Sequence, residues 1–359
     1  MSRIKTLGVL TSGGDCAGLN AVIRAVTVHA IRAYGLRVIG ILDGTLGLME
    51  QPLRYQELRL DTLGDRALRE GGTVLGTTNK GDPFHFPMRD GSFRDRSGDF
   101  AAGVRELGLD ALIVIGGDGS MRIVSRLCAA AGIGMVGVPK TIDNDVHGTE
   151  YAVGFATAIN VVVDALDRLQ PTAASHHRVM ILETMGRDTG HIALNGGIAG
   201  GADVILIPEL PYTLDGIAAR IAEVLSQGRR HALVVVAEGA RTEDGRRLSS
   251  GAAGNYGGIG HYLAEAIAGR TGAETRVTIL GHVQRGGTPS PRDRLVASAF
   301  GVRAVQAAAE GRLGCLVAWQ DRGVVEVPLS QVTIGARMVA ADDPMIFTAR
   351  GLGIYVGEG

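Results

Sequence analysis

Cysteine is scarce in this chain. The three present, Cys16, Cys128 and Cys315, are widely spaced and form no Cys-x-x-Cys, so the sequence encodes neither a disulfide framework nor a zinc site. Buried thiols in a reducing compartment are expected instead. Long apolar runs are missing too. None reaches the ~18 residues of a membrane span, and the opening MSRIKTLGVL passes directly into a strand pattern, so no signal peptide, no membrane partner and a cytoplasmic location are expected. Charge of one sign is lacking: a formal net charge of -1 provides no overall field to attract nucleic acid or an anionic membrane surface. An anionic ligand would need a local basic pocket. The Walker A lysine motif is absent as well, which argues against a P-loop enzyme. Proline is sparse, with 11 residues against 54 glycines. That excess of glycine suggests many strand-to-helix turns where backbone must approach a ligand or another element closely.

What is present is an alternation. The 359 residues exceed the ~250 to 300 at which single cores stop growing, so two domains are the default. Short runs rich in Val, Ile and Leu end abruptly in glycine or charged residues: TLGVL, ALIVI, GMVGV, RVMIL, ALVVV and RVTIL. Such runs read as strands buried on both faces of a parallel sheet. Between them lie NAVIRAVTVHAIRAYG, FATAINVVVDALDRL, DGIAARIAEVLSQG and RLVASAFGVRAVQAAAEG at helical spacing. The order predicts an α/β protein of two doubly wound, Rossmann-like domains with mainly parallel sheets. A domain change is placed near residues 150 to 155.

The residues after each strand carry the chemistry. TLGVL leads to Thr11-Ser12-Gly13-Gly14-Asp15, ALIVI to Gly116-Gly117-Asp118-Gly119-Ser120, and GMVGV to PKTIDND, residues 139 to 145. RVMIL leads to Glu183-Thr184-Met185-Gly186-Arg187, ALVVV to Ala237-Glu238-Gly239, and RVTIL to GHVQRGG. In open α/β sheets ligands bind at the carboxyl ends of the strands, so these clusters are candidates for shared crevices. Each has a plain alternative. A glycine turn often serves only the turn, PKTIDND taken alone reads equally as a capped turn, a lone arginine is usually a surface group, and His282 suits a structural role almost as well as a phosphate contact. GIGMVG, residues 132 to 137, matches a dinucleotide fingerprint but lies in a strand approach, and is discarded. Together, two glycine turns, Asp118, Asp143, Asp145, Lys140 and the arginines Arg178, Arg187, Arg276 and Arg285 supply what phosphoryl transfer needs: carboxylates for Mg²⁺, a backbone cradle, cations and a base.

With those motifs in view, the chain resembles the 6-phosphofructokinase family, which includes ATP-dependent and pyrophosphate-dependent enzymes. The resemblance runs through LTSGGDCAGLNAVIR, IGGDGS, PKTIDND, SHHRVMILETMGR and ETRVTILGHVQRGGTPSPRDR. It implies a donor domain of residues 1–153 with about 284–334, a fructose 6-phosphate domain of 154–283 with about 335–359, and an active-site cleft between them. It implies Asp143 as the base towards the sugar 1-hydroxyl, with Thr141 and Arg187 holding the transferring group. Asp118 would bind Mg²⁺ with support from Asp145. Gly14, Lys80, Gly117, Asp118, Gly119, Ser120 and Lys140 would receive the donor. Thr141, Asp143, Arg178, Met185, Gly186, Arg187, Glu238, Arg276, His282 and Arg285 would receive fructose 6-phosphate, with Arg178 and Arg276 arriving from a neighbouring subunit of a homo-oligomer, a tetramer.

Within the family, Gly119 stands where pyrophosphate-dependent members usually carry Asp, which favours ATP, whereas Lys140 is typical of the pyrophosphate branch. This combination resembles the mixed-substrate group. Arg24 and Arg229 fit the bacterial effector site, while Val28, Gln170 and Gln227 fall where basic residues are expected, so loss of that regulation is anticipated. The expectation is an ATP-dependent 6-phosphofructokinase. The alternatives are a pyrophosphate-dependent enzyme, a NAD or lipid kinase using GGDGS, and a catalytically silent sugar-phosphate sensor.

Overall fold

The apolar runs do form strands, and their order in the sheets follows from the helices between them. The computed structural model describes residues 4–61, 63–64, 66–79, 81–250 and 255–358. The strands of the two main sheets are β1 (Thr6–Thr11), β2 (Arg37–Ile41), β3 (Tyr55–Leu58), β4 (Ala111–Gly116), β5 (Gly134–Pro139), β6 (Val179–Thr184), β7 (Val204–Leu206), β8 (Ala232–Ala237), β9 (Thr275–Ile279), β10 (Cys315–Gln320) and β11 (Gly323–Pro328). The helices used below are α1 (Leu19–Tyr34), α2 (Asp118–Ala131), α3 (Phe155–His176), α4 (His191–Ala199), α5 (Leu214–Ser226), α6 (Pro291–Ala309) and α7 (Pro344–Gly351).

The chain divides into two units: Met1–Thr157 with Arg285–Gly335, and Ala158–Gln284 with Ala336–Gly359. In the first unit the sheet order is β11-β10-β5-β4-β1-β2-β3. It is parallel except for β3 and β11, which pair antiparallel at the two edges. The chain proceeds from β1 outward to β2, then returns to β4 on the other side of β1, so the winding reverses between β1 and β4. Loops diverge at such a reversal and leave a crevice at the carboxyl ends. The core beneath it is built from Leu10, Ile39, Leu112, Val114 and Phe100, all fully buried, each contributing about 1.5–3 kcal/mol by removal from water. Helices α1 and α6 cross closely because Gly301 presents no side chain; a Cβ there would stand 2.6 Å from that of Ala25.

The second unit holds a four-stranded parallel sheet in the order β9-β6-β8-β7. Its core includes Ile181, Val234, Val236, Ile217 and Leu263. Strands β6 and β8 are buried along their whole length, as continuous apolar runs require. RVTIL differs: β9 is an edge strand with one neighbour, half-exposed residues and Ile279 at 49% exposure. Composition made it look central, but only pairing determines which strand ends the sheet. Helix α3 continues past the expected DALDRL to His176, through Pro171.

Sequence patterns overlooked the carboxyl-terminal region. Asp343 accepts from Met345 N–H at 2.8 Å and starts α7, with Pro344 in its first turn. An Asp-Pro pair is a legible helix start. Beyond α7, Tyr355 bridges to Val204 on the edge strand β7, donating to Asp203 O at 3.1 Å and accepting from Ile205 N–H at 2.8 Å.

Candidate functional site

At the β1/β4 reversal two short turns face one another. Gly13 adopts φ +86°, a left-handed geometry open to glycine at no steric cost. Its N–H donates to Thr78 O at 2.9 Å, and its carbonyl accepts from Thr77 Oγ1 at 2.7 Å. A Cβ on Gly13 would stand 3.1 Å from Ser120 Oγ and 3.3 Å from Lys140 Nζ. One on Gly14 would fall 1.8 Å from Arg285 Nη1. The turn after β1 is thus enclosed by Ser120, Lys140 and Arg285, and only backbone fits. The turn after β4 runs through Gly117 into the first turn of α2, where Asp118, Gly119 and Ser120 leave helix N–H groups unclaimed by the helix itself. Around a Cβ at Gly119 there is no atom within 4 Å.

Lys140 is 4% exposed and donates from Nζ to Gly14 O at 2.5 Å. Burial pushes its pKa down, as does the adjacent Arg285, against the opposing pull of Cys16, Asp143 and Asp15. PKTIDND continues β5. Lys140 N–H donates to Gly116 O at 3.0 Å and Thr141 N–H to Val153 O at 3.2 Å, while Asp143 N–H donates to Thr141 Oγ1 at 3.1 Å. Asp143 is 5% exposed, so its carboxylate sits where electrostatic interactions are only weakly screened. Asp145 is half-buried, and Asp118 lies half-buried in the first turn of α2.

Those two carboxylates suit Mg²⁺. Among the described residues no three or more His, Cys, Asp and Glu side chains gather into a metal cage. Magnesium needs no such cage, because it retains waters and takes one or two carboxylates alongside phosphate oxygens. Lys80 lies outside the described residues.

The second unit carries its own cluster at the carboxyl ends of β6 and β8. Glu238 Oε1 accepts from Gly186 N–H at 3.3 Å and Arg187 N–H at 3.0 Å, so this carboxylate shapes the Met185-Gly186-Arg187 loop. Arg187 is exposed and held at φ +51°. Gly239 allows it: a Cβ there would lie 1.9 Å from Arg187 O. Gln284, 1% exposed, accepts from Met185 N–H at 2.7 Å. His282 is exposed in the turn after β9.

Arg178 and Arg276 are not in that cluster. The motifs place them among the strand-end cations and the family resemblance implies that they arrive from a neighbouring subunit; within this chain Arg178 precedes β6 and Arg276 is the second residue of β9, so both start from the amino end of the sheet. A six-residue strand spans about 20 Å, more than a sugar phosphate can bridge. There both guanidinium groups meet Glu274, with Arg178 Nη2 at 2.9 Å. Arg229, which the family resemblance relates to an effector site, is bound to Asp203 in bidentate fashion at 2.6 and 2.9 Å.

Two groups with structural consequences went unread. Asn144 stands between the two acids of PKTIDND at φ +52°, a conformation in which asparagine is enriched. Asp293, 1% exposed, accepts from Gly154 N–H, Thr157 N–H and Thr157 Oγ1 at 2.9, 2.7 and 2.5 Å. Serine at the helix start three residues before an acid was its only local signal.

Glycine turns at a topological reversal, a buried lysine and a half-buried arginine beside them, and carboxylates at the ends of the same strands are the features of a phosphate-binding crevice in an α/β protein. A family model described as Phosphofructokinase matches residues 6–308. The chain belongs to the phosphofructokinase family. It is 56% identical over 361 residues to a protein of Synechocystis sp. named ATP-dependent 6-phosphofructokinase 1, covering 100% of each chain. A solved phosphofructokinase from Pichia pastoris superposes with a TM-score of 0.81 at 32% identity, over 93% of this chain and 38% of that one. A pyrophosphate-dependent phosphofructokinase from Marinobacter aquaeolei shares the fold, with a TM-score of 0.79 at 23% identity over 99% of this chain and 89% of that one.

Proposed function

We propose that this protein is an ATP-dependent 6-phosphofructokinase of glycolysis, acting in the cytoplasm, with Mg²⁺ as its metal. The full-length likeness to a protein of that name carries the reading, and open space at Gly119 is what an extended nucleotide donor requires. Asp143 takes the proton of the fructose 6-phosphate 1-hydroxyl as that oxygen bonds to the γ-phosphorus. The bond from γ-phosphorus to the bridging oxygen breaks, and ADP leaves with the electron pair. Lys140 and the Gly14 and Gly117–Ser120 backbone offset the donor's negative charge, while Arg285, beside the Gly14 turn, faces the fructose 6-phosphate. Thr141 and Arg187 hold the group in transit. Bound at Asp118 and Asp145, Mg²⁺ would supply charge neutralisation for the phosphate oxygens. Most of the acceleration then comes from positioning and fixed charge.

Met185, Gly186, Glu238 and His282 receive the sugar phosphate. The amino-end placement of Arg178 and Arg276 fits their delivery to a second copy's site, and hence a homo-oligomer, a tetramer. A pyrophosphate donor is the second reading, favoured by Lys140 lying against Gly14 O at 2.5 Å. Purified protein is incubated with Mg²⁺ and fructose 6-phosphate, with ATP in one sample and pyrophosphate in another, and fructose 1,6-bisphosphate is measured. Product with ATP is expected. Product with pyrophosphate alone would overturn the donor assignment, and product with neither would leave a silent sugar-phosphate binder.

A further inference from the structure

Asp143 has no rigid element of its own. It lies beyond the end of β5, in a turn, yet a base acts only if its carboxylate is held within a fraction of an ångström of the productive position. One side of the turn is fixed by Thr141, whose Oγ1 accepts the Asp143 N–H at 3.1 Å and whose N–H donates to Val153 O at 3.2 Å. The other side is Asn144. Its side chain is 4% exposed and clamps the neighbouring segment in both directions: Nδ2 donates to Glu150 O at 3.0 Å and Oδ1 accepts from Ala152 N–H at 2.8 Å.

We infer that Asn144 is a positioning residue for phosphoryl transfer: its two-way clamp on Glu150 and Ala152, at a left-handed backbone angle, fixes the direction in which Asp143 presents its carboxylate. The inference rests on Asp143 being the base. Asparagine meets three demands together. It tolerates φ +52°, its amide donates, and its carbonyl accepts. Aspartate accepts only, and would set a further negative charge beside Asp143 and Asp145. Glycine permits the backbone angle but has neither half of the clamp. The clamped segment is tied in turn to β10, since Glu150 N–H donates to Trp319 O at 2.9 Å and Trp319 N–H to Thr149 Oγ1 at 2.9 Å. Trp319 is the single tryptophan of the chain, so its fluorescence reports on whether that segment is held.

A double-mutant cycle separates positioning from general support. Turnover and the KM for fructose 6-phosphate are measured for the full-length protein and for Asn144→Gly, Asp143→Asn and the combined variant, with acrylamide quenching of Trp319 alongside. The expected result is a fall in kcat of about 10- to 100-fold for Asn144→Gly, up to but not beyond the lower end of the ~100- to 10,000-fold a general base contributes, with KM changed less than about twofold and quenching increased. In the Asp143→Asn background the same substitution should change kcat by less than about twofold. If the glycine variant does not fold, Asn144→Asp, which keeps the acceptor towards Ala152, is read in the same cycle. Equal losses in both backgrounds, or increased quenching with unchanged kcat, would overturn the inference. Wild-type turnover by Asp143→Asn would instead remove the base reading on which it stands.

Discussion

Asp293 offers the sharpest quantitative test of how the first unit is held together. Its carboxylate, 1% exposed, is the shared acceptor for Gly154 N–H, Thr157 N–H and Thr157 Oγ1 at 2.9, 2.7 and 2.5 Å, with Ser290 Oγ at 3.3 Å. Asp293→Ala strands three buried donors at once. At about 1–3 kcal/mol for each unsatisfied buried group, less some relaxation, the loss should be about 3–6 kcal/mol. That is a large share of the ~5–15 kcal/mol typical of a folded domain. Asp293→Asn should lose roughly half as much, because its oxygen still serves Thr157 while its amide confronts the Gly154 N–H. The sign of the pH dependence can be worked out as well. Burial raises the carboxyl above its usual 3.8, against hydrogen bonds from Thr157, Gly154 and Ser290 that lower it. A raised pKa in the folded state means that the wild-type contribution is fully present below 3.8 and declines as pH rises through the raised value. The deficit of Asp293→Ala should therefore be largest in acid and shrink towards neutrality. Urea unfolding followed by Trp319 fluorescence reads the first unit, to which Trp319 belongs. A change below about 1 kcal/mol at every pH would refute the reasoning.

Two other perturbations probe the donor turn and the second unit. Gly119→Asp meets no atom within 4 Å of its Cβ, so folding should be unaffected, whereas a new charge about 6 Å from a donor phosphate at an effective dielectric of ~20 costs about 3 kcal/mol. That corresponds to a fall of roughly 100-fold in kcat/KM for ATP at unchanged Tm; steady-state kinetics showing less than a threefold fall would place the donor elsewhere. His191 donates from Nε2 to Arg337 O at 2.9 Å, and burial pushes its pKa down from 6.5 to about 4. Between those values the unfolded chain binds a proton that the folded one refuses, so stability should fall by about 3 kcal/mol as pH drops from neutral to 4, and His191→Gln should flatten the profile in a denaturation series.

The strand-end turns of the candidate site were legible because their signals are local. Glycines after TLGVL and ALIVI had to be turns, acids clustered after GMVGV had to lie at a strand end, and both follow from chain geometry over a few residues. Other contacts join distant partners. Asp293 grips Gly154 from 139 residues away, and Lys140 reaches Gly14 across 126. No window of local sequence contains both halves of such a contact. The same limit explains β9, whose composition matches a central strand although pairing leaves it at the edge.

The sequence by itself determined which segments become strands and helices, where backbone must approach a ligand, and which chemical groups are available to phosphate and metal, because periodicity, turn residues and motif spacing are properties of neighbouring residues. Tertiary structure alone decided that the winding reverses between β1 and β4, that Asp293 gathers the N–H groups of Gly154 and Thr157, and that Lys140 closes onto the Gly14 turn. Those outcomes depend on strand order and on hydrogen bonds closed between remote residues, which exist only once the chain has folded.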